Sequence, residues 1–415
     1  MEVFDKYQSK FFKNFLILFK GSFLAQLIPL FFSPIIARIY TPEQFGVLAL
    51  FVSIVTIIGS VINGRYEQAI MIVDKKEEMD ALTFLSLLIS LISSVLLSFL
   101  IALFQVDIAL FFGSDSISNW LLFVPVVVFF IGAFNSLNFY YLKQEKLKDI
   151  SISEIEKSLV FVNVQLVFPL FKSGAFGLVL GKIISSIYAP FYLYVKSDLN
   201  WRNFDLKKMM VMAKRYINFP KYTSPAILLN NLGSSGLQLL IPAFYSTVFL
   251  GLYSLMNKVM LAPFTFIGNS ISQTYLKEIS DANNVNSYFI TRSVMLKLFV
   301  IAVLGYGLSY FFIEDLFAFV YGEEWRLAGT FAKYLIPFFI LKFVASPLTS
   351  IHTAFQKQKL SLILQFVLFV LSVCTLLFCH FSNFSFEFFL KTFSVTMTVF
   401  YFFRVLIILN ISKNK

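Results

Sequence analysis

The chain has few of the side chains on which metal sites, disulfide frameworks and catalytic triads depend. It contains only two cysteines and two histidines in 415 residues. Cys374 and Cys379 are five apart inside an apolar run, which places them on different faces of a helix. Neither they nor the isolated His352 and His380 have neighbours at metal-ligand spacing. We therefore predict no metal site, no disulfide and no cofactor.

Charged residues are also scarce. They make up 14% of the chain, whereas hydrophobic residues make up 58%. Soluble proteins carry about 25% charged residues, so most of this chain would be insoluble if only water surrounded it. We predict an all-α integral membrane protein. Its net charge of +11 is then explained by basic residues in the cytoplasmic loops of a membrane protein, and no nucleic-acid partner is expected.

The motifs of several enzyme classes are missing. The sequence has no phosphate-binding glycine loop, no Walker motif and no spaced carboxylate pair, which are the groups that ATP hydrolysis and glycosyl transfer require. The predicted outer connections are all short, so they leave no room for an outer catalytic domain such as a membrane polysaccharide polymerase would carry. We predict a transporter and not an enzyme.

Long apolar runs are what the chain has in abundance. About twenty residues are needed to cross the hydrocarbon core of a bilayer. The first run has no small-residue cleavage site and is predicted to be a retained helix, not a signal peptide. The runs predict twelve spans, at residues 14–39, 45–73, 81–104, 118–142, 153–171, 175–195, 218–243, 249–275, 289–312, 326–355, 360–380 and 385–410.

The basic residues between these spans lie almost entirely on one side of the membrane in the predicted topology. Twenty lysines and arginines fall in the connections on one side, and a single residue, Lys172, falls on the other. Because basic loops stay in the cytoplasm, both termini are predicted to be cytoplasmic. The expected location is the bacterial plasma (inner) membrane, crossed several times.

An internal repeat divides the chain. Residues around the second span recur 205 positions later, and Trp120 recurs as Trp325 at the same offset. The repeated positions are Tyr40 and Tyr245, Gly46 and Gly251, and Leu50 and Leu255. We predict an N-terminal lobe at 1–200, a basic cytoplasmic linker at 201–217 and a C-terminal lobe at 218–415. With six spans each, the two lobes are related by a pseudo-twofold axis along the membrane normal.

The linker allows two interpretations. Leu206, Met209, Met210 and Ala213 form one face of a helix that would lie on the inner leaflet. Alternatively, the linker is a basic tether that only satisfies the charge rule.

Basic residues inside or at the edges of the spans outnumber acidic ones by thirteen to four. An unpaired charge near mid-membrane costs roughly 2.5 to 3.5 kcal/mol, so deep lysines must face water or an anion. Residues near span ends, such as Lys157, can instead extend to the interface. The amides of the seventh span line the same cavity or form a hydrogen-bonded seam between helices. The predicted cationic and polar cavity set is Lys20, Gln26, Arg65, Lys182, Asn231, Gln238, Lys258, Lys297 and Lys333.

One acidic residue is a candidate for ion coupling. Glu67 lies two positions after Arg65, and residues two apart on a helix do not face each other. Each is therefore expected to need another partner. Glu67 either carries a proton or cation or pairs with a lysine of another span.

Several stretches together resemble a known family. RIYTPEQFGVLALF and RYEQAI, then FPKYTSPAILLNNL, LGLYSLMNKVMLAPFTFIGNSISQTYLKE and YGEEWRLAGTFAKYLIP, are similar to bacterial polysaccharide flippases. These are the O-antigen and capsule transporters of the multidrug/oligosaccharidyl-lipid/polysaccharide exporter superfamily, which has the MATE-like fold. The likeness covers most of the chain and is strongest at 38–72 and 218–345.

The resemblance implies two six-helix lobes around a central cavity lined largely by the first, second, seventh and eighth helices. It implies a flippase that moves undecaprenyl-diphosphate-linked oligosaccharide from the inner to the outer leaflet by alternating access. The expected partners are this lipid, the bilayer, and a polysaccharide polymerase and chain-length regulator, with a proton or sodium gradient as a candidate driving force. The alternative is a cation-coupled multidrug exporter of the same fold, which would need intramembrane carboxylates and no lysine-rich lumen.

Overall fold

The computed structural model describes residues 2–171, 174–200, 204–281 and 284–413, and within these ranges every regular element is helical and no strand occurs. Lys172 and the linker residues 201–203 lie outside the described part. The α-helices are α1 (Glu2–Phe31), α2 (Ser33–Ile39), α3 (Pro42–Gly59), α4 (Lys76–Phe111), α5 (Asp115–Leu121), α6 (Val124–Lys143), α7 (Leu147–Val167), α8 (Phe176–Val195), α9 (Leu206–Arg215), α10 (Ser224–Phe244), α11 (Thr247–Pro263), α12 (Asn269–Asp281), α13 (Asn284–Ala302), α14 (Ile313–Tyr321), α15 (Arg326–Leu348), α16 (Ile351–Ala354), α17 (Gln358–Phe381) and α18 (Phe386–Lys413).

The all-α membrane fold is confirmed. Within the described ranges, ten helical segments are long and apolar enough to cross a membrane, and a pair bent by 53°, Phe219–Gly233 and Ser235–Phe244, forms an eleventh candidate. These match eleven of the twelve predicted spans. The remaining one, 153–171, overlaps α7, whose Glu154, Glu156 and Lys157 make it more polar than the others.

The second predicted span, 45–73, is not a continuous helix. Helix α3 ends at Gly59, and the chain then turns before a short 3-10 helix at Tyr66–Met71. Gly64 and Arg65 have φ angles of 60° and 62°. This left-handed conformation cannot be accommodated in a right-handed helix. The apolar run in the sequence therefore extends beyond the helix.

The structure divides into two compact units. The first contains the chain up to Tyr40 and Val47–Ala243, and the second contains Thr41–Gly46 and the chain from Phe244 onward. Helix α10 therefore packs with the first unit, although the predicted lobe boundary precedes it. The division into six-helix lobes at 201–217 rests on the sequence repeat and stays a prediction.

In the first unit, α4 and α6 meet along a seam of small polar residues. A Cβ atom added to Gly132 would come within 2.3 Å of the Ser90 hydroxyl. The hydroxyl oxygens of Ser86 and Ser136 lie 2.6 Å apart. Close backbone approach and interhelical hydrogen bonds of this kind hold helices together where lipid removes the hydrophobic driving force.

The linker helix α9 packs on the first unit. Asp205 caps it by accepting hydrogen bonds from the backbone N–H groups of Lys207 and Lys208. Met209 and Met212 are buried in the same core cluster as residues of α4. The ammonium of Lys208 lies 2.7 Å from the Glu77 carboxylate at the start of α4.

The predicted membrane-facing surface of this linker is wrong in part. Met209 points inward, and Ala213 packs against the same core, whereas Leu206 and Met210 are exposed. The four residues therefore do not form one face toward the lipid. Helix α9 packs against α4 and is joined to it by an ion pair.

The second unit is built around α15 and the short 3-10 helix before it. Trp325 is fully buried and contacts the ring of Phe45, with the centroids 4.9 Å apart. This side chain holds the segment Thr41–Gly46 inside the second unit.

The same unit contains a contact that follows the internal repeat. A Cβ atom on Gly46 would lie 1.9 Å from the carbonyl oxygen of Thr247, and one on Gly251 would lie 1.7 Å from that of Pro42. Pro42 and Thr247, like Gly46 and Gly251, are 205 positions apart. The first turns of α3 and α11 thus pack on each other reciprocally, as expected of a twofold contact. Only glycine permits this approach.

Substitution of either glycine is expected to destabilise the protein. Because the obstructing atoms are backbone carbonyls, which cannot rotate away, Gly46→Ala and Gly251→Ala should cost about 1 to 3 kcal/mol or more. The measurement is the thermal-unfolding midpoint of detergent-purified protein.

Gly305→Ala is the matched control, since a Cβ atom there meets nothing within 4 Å. It should leave the midpoint unchanged or raise it slightly, because alanine is the better helix former. Equal midpoints for Gly251→Ala and Gly305→Ala would contradict the close crossing.

Candidate functional site

The predicted cavity residues are distributed over both units. Those in the first unit are Lys20, Gln26, Arg65, Lys182, Asn231 and Gln238, together with the candidate coupling residue Glu67. Those in the second unit are Lys258, Lys297 and Lys333.

Helix α1 packs closely on α7. The Ser151 hydroxyl donates to the carbonyl oxygen of Ile17 at 3.0 Å, and a Cβ atom on Gly21 would overlap Ser151. Ser22 donates to the Glu154 carboxylate at 2.8 Å. Ser22, a polar residue of the first span, therefore contributes to helix packing.

Lys20 and Gln26 of α1 are both exposed. They are six residues apart, so their side chains project about 120° from each other around the helix axis. The two predicted cavity residues do not share a single face of α1.

Adjacent helices α7 and α8 bring three charged groups together, which we call the α7–α8 cluster: Glu154, Lys157 and Lys182. Lys157 lies within electrostatic range of both Glu154 and Lys182. Its ammonium also sits 4.7 Å from the centre of the Phe134 ring. Among the described residues, no carboxylate pairs with Lys182. The cluster therefore contains two lysines and one carboxylate.

Sequence reasoning identifies Lys182 but not its neighbours. In the sequence analysis, Lys157 lies near a span end and can extend to the interface, and Glu154 has no assigned role. The two are three residues apart, which places them on one face of α7, and this spacing is the signal that could have linked them. The other acidic residue of α7 has a different partner, since the Glu156 carboxylate accepts a hydrogen bond of 2.7 Å from the Tyr188 hydroxyl of α8.

Arg65 and Glu67 pair directly, so the expectation that each needs another partner is wrong. Arg65 Nη1 lies 3.1 Å from Glu67 Oε1, and the Glu67 side chain is fully buried. The rule that residues two apart on a helix do not face each other does not apply here. Helix α3 has already ended, and the backbone of Arg65 is in the left-handed conformation. The second carboxylate oxygen of Glu67 has no hydrogen-bond partner among the described residues.

The amide residues of α10 are placed differently from one another. Gln238 Oε1 accepts a hydrogen bond of 3.0 Å from the Ser53 hydroxyl of α3. This is the interhelical seam that the sequence allowed as an alternative. Asn231 is half-buried and lies just before the bend near Gly233.

In the second unit, Lys258 and Lys297 are exposed on α11 and α13. Lys333 is not a free cavity cation, because its ammonium lies 3.3 Å from the Glu314 carboxylate and 5.0 Å from the centre of the Tyr310 ring. Its expected role as an unpaired charge is therefore not supported by its contacts.

Aromatic rings take the place of missing carboxylates at several basic side chains. The ammonium of Lys342 lies 5.2 Å from the centre of the Phe338 ring, and that of Lys391 lies 4.5 Å from that of Tyr334. A ring face attracts a cation more strongly where water is excluded. A count of basic against acidic residues in the sequence does not consider these partners.

The Arg65–Glu67 pair gives a double-mutant test. Glu67→Ala should cost about 3 to 5 kcal/mol, because it leaves the guanidinium with no counter-charge in a mostly buried position. Arg65→Ala/Glu67→Ala should recover part of that loss. The measurement is thermal unfolding of the purified variants, and strictly additive effects of the two substitutions would argue against coupling between them.

Comparison with known proteins identifies the family and the fold. Residues 35–330 match the model of a family described as "Polysaccharide biosynthesis protein". No curated protein sequence matches the chain.

Solved structures that resemble this one include membrane transporters. The lipid II flippase MurJ in an inward closed conformation has a TM-score of 0.74 at 14% identity, over 94% of this chain and 87% of that chain. A multidrug resistance MATE family transporter of the MOP superfamily, inward-facing, has a TM-score of 0.65 at 13% identity, over 96% of each chain. An outward-facing structure of such a transporter gives 0.59 at 13% identity, over 97% of each chain.

At these identities the structural likenesses establish the fold, and they confirm the predicted MATE-like architecture. The family match covers well over half of the sequence. The chain therefore belongs to the polysaccharide biosynthesis protein family, and its fold is that of the MOP-superfamily transporters.

Proposed function

We propose that the protein is a flippase for undecaprenyl-diphosphate-linked oligosaccharide repeat units, such as those of O-antigen or capsule. It moves them from the inner to the outer leaflet of the bacterial plasma membrane by alternating access, with both termini in the cytoplasm. The family match to polysaccharide biosynthesis proteins is the observation that carries this proposal.

The charge distribution supports an anionic substrate. A diphosphate that enters a membrane protein needs compensating positive charge, since an isolated ion is expensive in a medium of low dielectric constant. The α7–α8 cluster places two lysines beside one carboxylate, and a bound anion favours the charged form of both lysines. Amide side chains, such as those of Gln26 and Asn231, are suited to hydrogen-bond sugars, and the lipid tail stays in the bilayer.

The driving force of the cycle is a separate question. A membrane potential that is negative inside favours outward movement of an anion by roughly 2.3 kcal/mol per charge per 100 mV. A proton or sodium gradient is the other candidate, and Glu67 is then the coupling residue, which has to exchange its Arg65 partner for the ion. The polysaccharide polymerase and chain-length regulator are the proposed protein partners, and no cofactor is required.

The alternative is a cation-coupled multidrug exporter, favoured by the structural likeness to MATE transporters. Such a protein needs carboxylates that are free to bind cations. Glu67 pairs with Arg65, and Glu154 lies beside the positive side chain of Lys157. These engagements favour the anionic substrate.

Removal of a cavity lysine should reduce polysaccharide export. In cells that depend on this protein, Lys182→Ala and Lys258→Ala should lower surface polysaccharide several-fold without lowering the amount of inserted protein. Lys182→Arg should retain more activity than Lys182→Ala because it keeps the charge. The measurements are surface polysaccharide by gel or antibody staining and membrane protein by immunoblot.

Lys214→Ala is the matched control, since Lys214 is exposed on the linker helix α9. It should leave export unchanged. Normal polysaccharide in both Lys182→Ala and Lys258→Ala would contradict the cationic site, whereas drug sensitivity in cells without the protein, with normal polysaccharide, would favour the exporter.

A further inference from the structure

A group of basic side chains lies in the second unit where α15, α16 and α18 meet. It contains Lys342 of α15, His352 of α16 and Arg404 of α18, and we call it the inner basic cluster. Arg404 lies within electrostatic range of both Lys342 and His352. The cluster is at the end of α15 that leads into the basic connection with Lys357 and Lys359, which is the predicted cytoplasmic end.

Two members of the cluster are deeply buried. Arg404 is 7% exposed and His352 is 2% exposed, whereas the preceding residues of α18, Phe402 and Phe403, are 52% and 57% exposed. The guanidinium of Arg404 is therefore on the inner face of α18, while the neighbouring rings face outward. Burial of a charged side chain is costly unless a partner compensates the charge, so the surroundings of Arg404 should contain one.

The buried polar atoms of the cluster lack such partners. Within the described part of the chain, neither ring nitrogen of His352 and not the Nε atom of Arg404 has a hydrogen-bond partner. An imidazole carries at least one N–H in every protonation state, and arginine Nε carries one as well. The cluster therefore presents at least two buried donors without acceptors, although buried polar groups are nearly always hydrogen-bonded.

Carboxylates do not compensate this charge. Among the residues that the structure describes, none forms an ion pair with Arg404, and none lies within electrostatic range of Lys342 or His352. The contacts present are aromatic: the Cζ atom of Arg404 lies 5.7 Å from the centre of the Tyr401 ring, and the ammonium of Lys342 lies 5.2 Å from that of Phe338. Ring faces attract cations, but they do not replace the acceptor oxygens that the N–H groups require.

The chemistry of the cluster determines the kind of ligand that fits it. Water would satisfy the donors but would bring no negative charge to a site without a carboxylate. A phosphate group brings both charge and several acceptor oxygens. The planar guanidinium fork suits such oxyanions, because two of its N–H groups can donate to two oxygens at once. Arginine Nε belongs to such a fork, and in Arg404 this atom has no partner among the described residues.

We propose that the inner basic cluster binds a phosphate group. Arg404 and His352 donate hydrogen bonds to its oxygens, and the ammonium of Lys342 adds compensating charge. This site is separate from the α7–α8 cluster, and its existence does not depend on the proposed function. The phosphate group belongs either to free inorganic phosphate or to a lipid headgroup. Deep burial of Arg404 and His352 favours the free ion, since a headgroup is tethered to the membrane surface.

The test is thermal unfolding of the full-length, detergent-purified protein, with sodium phosphate replacing sodium chloride at constant ionic strength. A ligand that binds only the native state raises the unfolding midpoint as its concentration increases. We expect phosphate to raise the midpoint by about 3 °C at concentrations well above its dissociation constant. Arg404→Met and His352→Gln should lose most of this shift. Lys182→Ala should keep it, because Lys182 belongs to the α7–α8 cluster.

Lys391→Met is the matched control. Lys391 is also a cation of α18 beside a tyrosine ring, with its ammonium 4.5 Å from the centre of Tyr334. It lies thirteen residues before Arg404, about 20 Å along the helix, so this variant should keep the phosphate shift. If Arg404→Met does not fold, equilibrium dialysis with radioactive phosphate decides the question, and His352→Gln should bind about tenfold more weakly than the unsubstituted protein.

A second ligand distinguishes the two sources of the phosphate group. If dioctanoyl phosphatidylglycerol raises the midpoint through Arg404 and inorganic phosphate does not, the site stands and its ligand is a lipid headgroup. An equal shift in the unsubstituted protein and in Arg404→Met would be a general salt effect and would overturn the site, as would no shift with either ligand. A shift lost in Lys182→Ala but kept in Arg404→Met would place the phosphate in the α7–α8 cluster instead.

Discussion

Positive charge inside an apolar helix bundle is the constraint on which the structure depends. The chain has 34 basic and 23 acidic residues, and few acids fall within the spans. Direct ion pairs neutralise some cations, as at Arg65 and Lys333. Aromatic rings accommodate others, as at Lys342. Lys182 lies beside Lys157 and has no carboxylate partner among the described residues. In the proposed function, an anionic lipid headgroup is that partner.

The internal repeat has a structural counterpart that explains its most regular residues. Gly46 and Gly251 occupy equivalent positions, and each lies against a backbone carbonyl at the start of the other helix. A repeat that preserved only hydrophobicity would not need glycine at both positions. The crossing ties the segment Thr41–Gly46 to the second unit, where Trp325 also packs against it.

Much of the fold could be predicted from the sequence, because long apolar runs and basic connections report directly on membrane crossing. Each of the twelve predicted spans overlaps a helix of the structure. The end of α3 could not be predicted from hydropathy, since apolar residues continue beyond Gly59. The Arg65–Glu67 pair was missed for the same reason, as it depends on the left-handed backbone at Arg65.

The site was less predictable than the fold. Composition identified the surplus of cations, but only tertiary packing determines which of them meet a carboxylate, a ring or another lysine. Lys333 and Gln238 have partners on other helices that no local spacing could reveal.

The most direct test of the central claim is translocation by the purified protein in liposomes. A fluorescent undecaprenyl-diphosphate-linked oligosaccharide is incorporated in both leaflets, and a membrane-impermeant reductant bleaches the molecules that reach the outer leaflet. The account predicts that the inner-leaflet pool becomes accessible when the protein is present, and more slowly with Lys182→Ala. A protected pool that the protein leaves unchanged, together with uptake of a cationic dye, would contradict it.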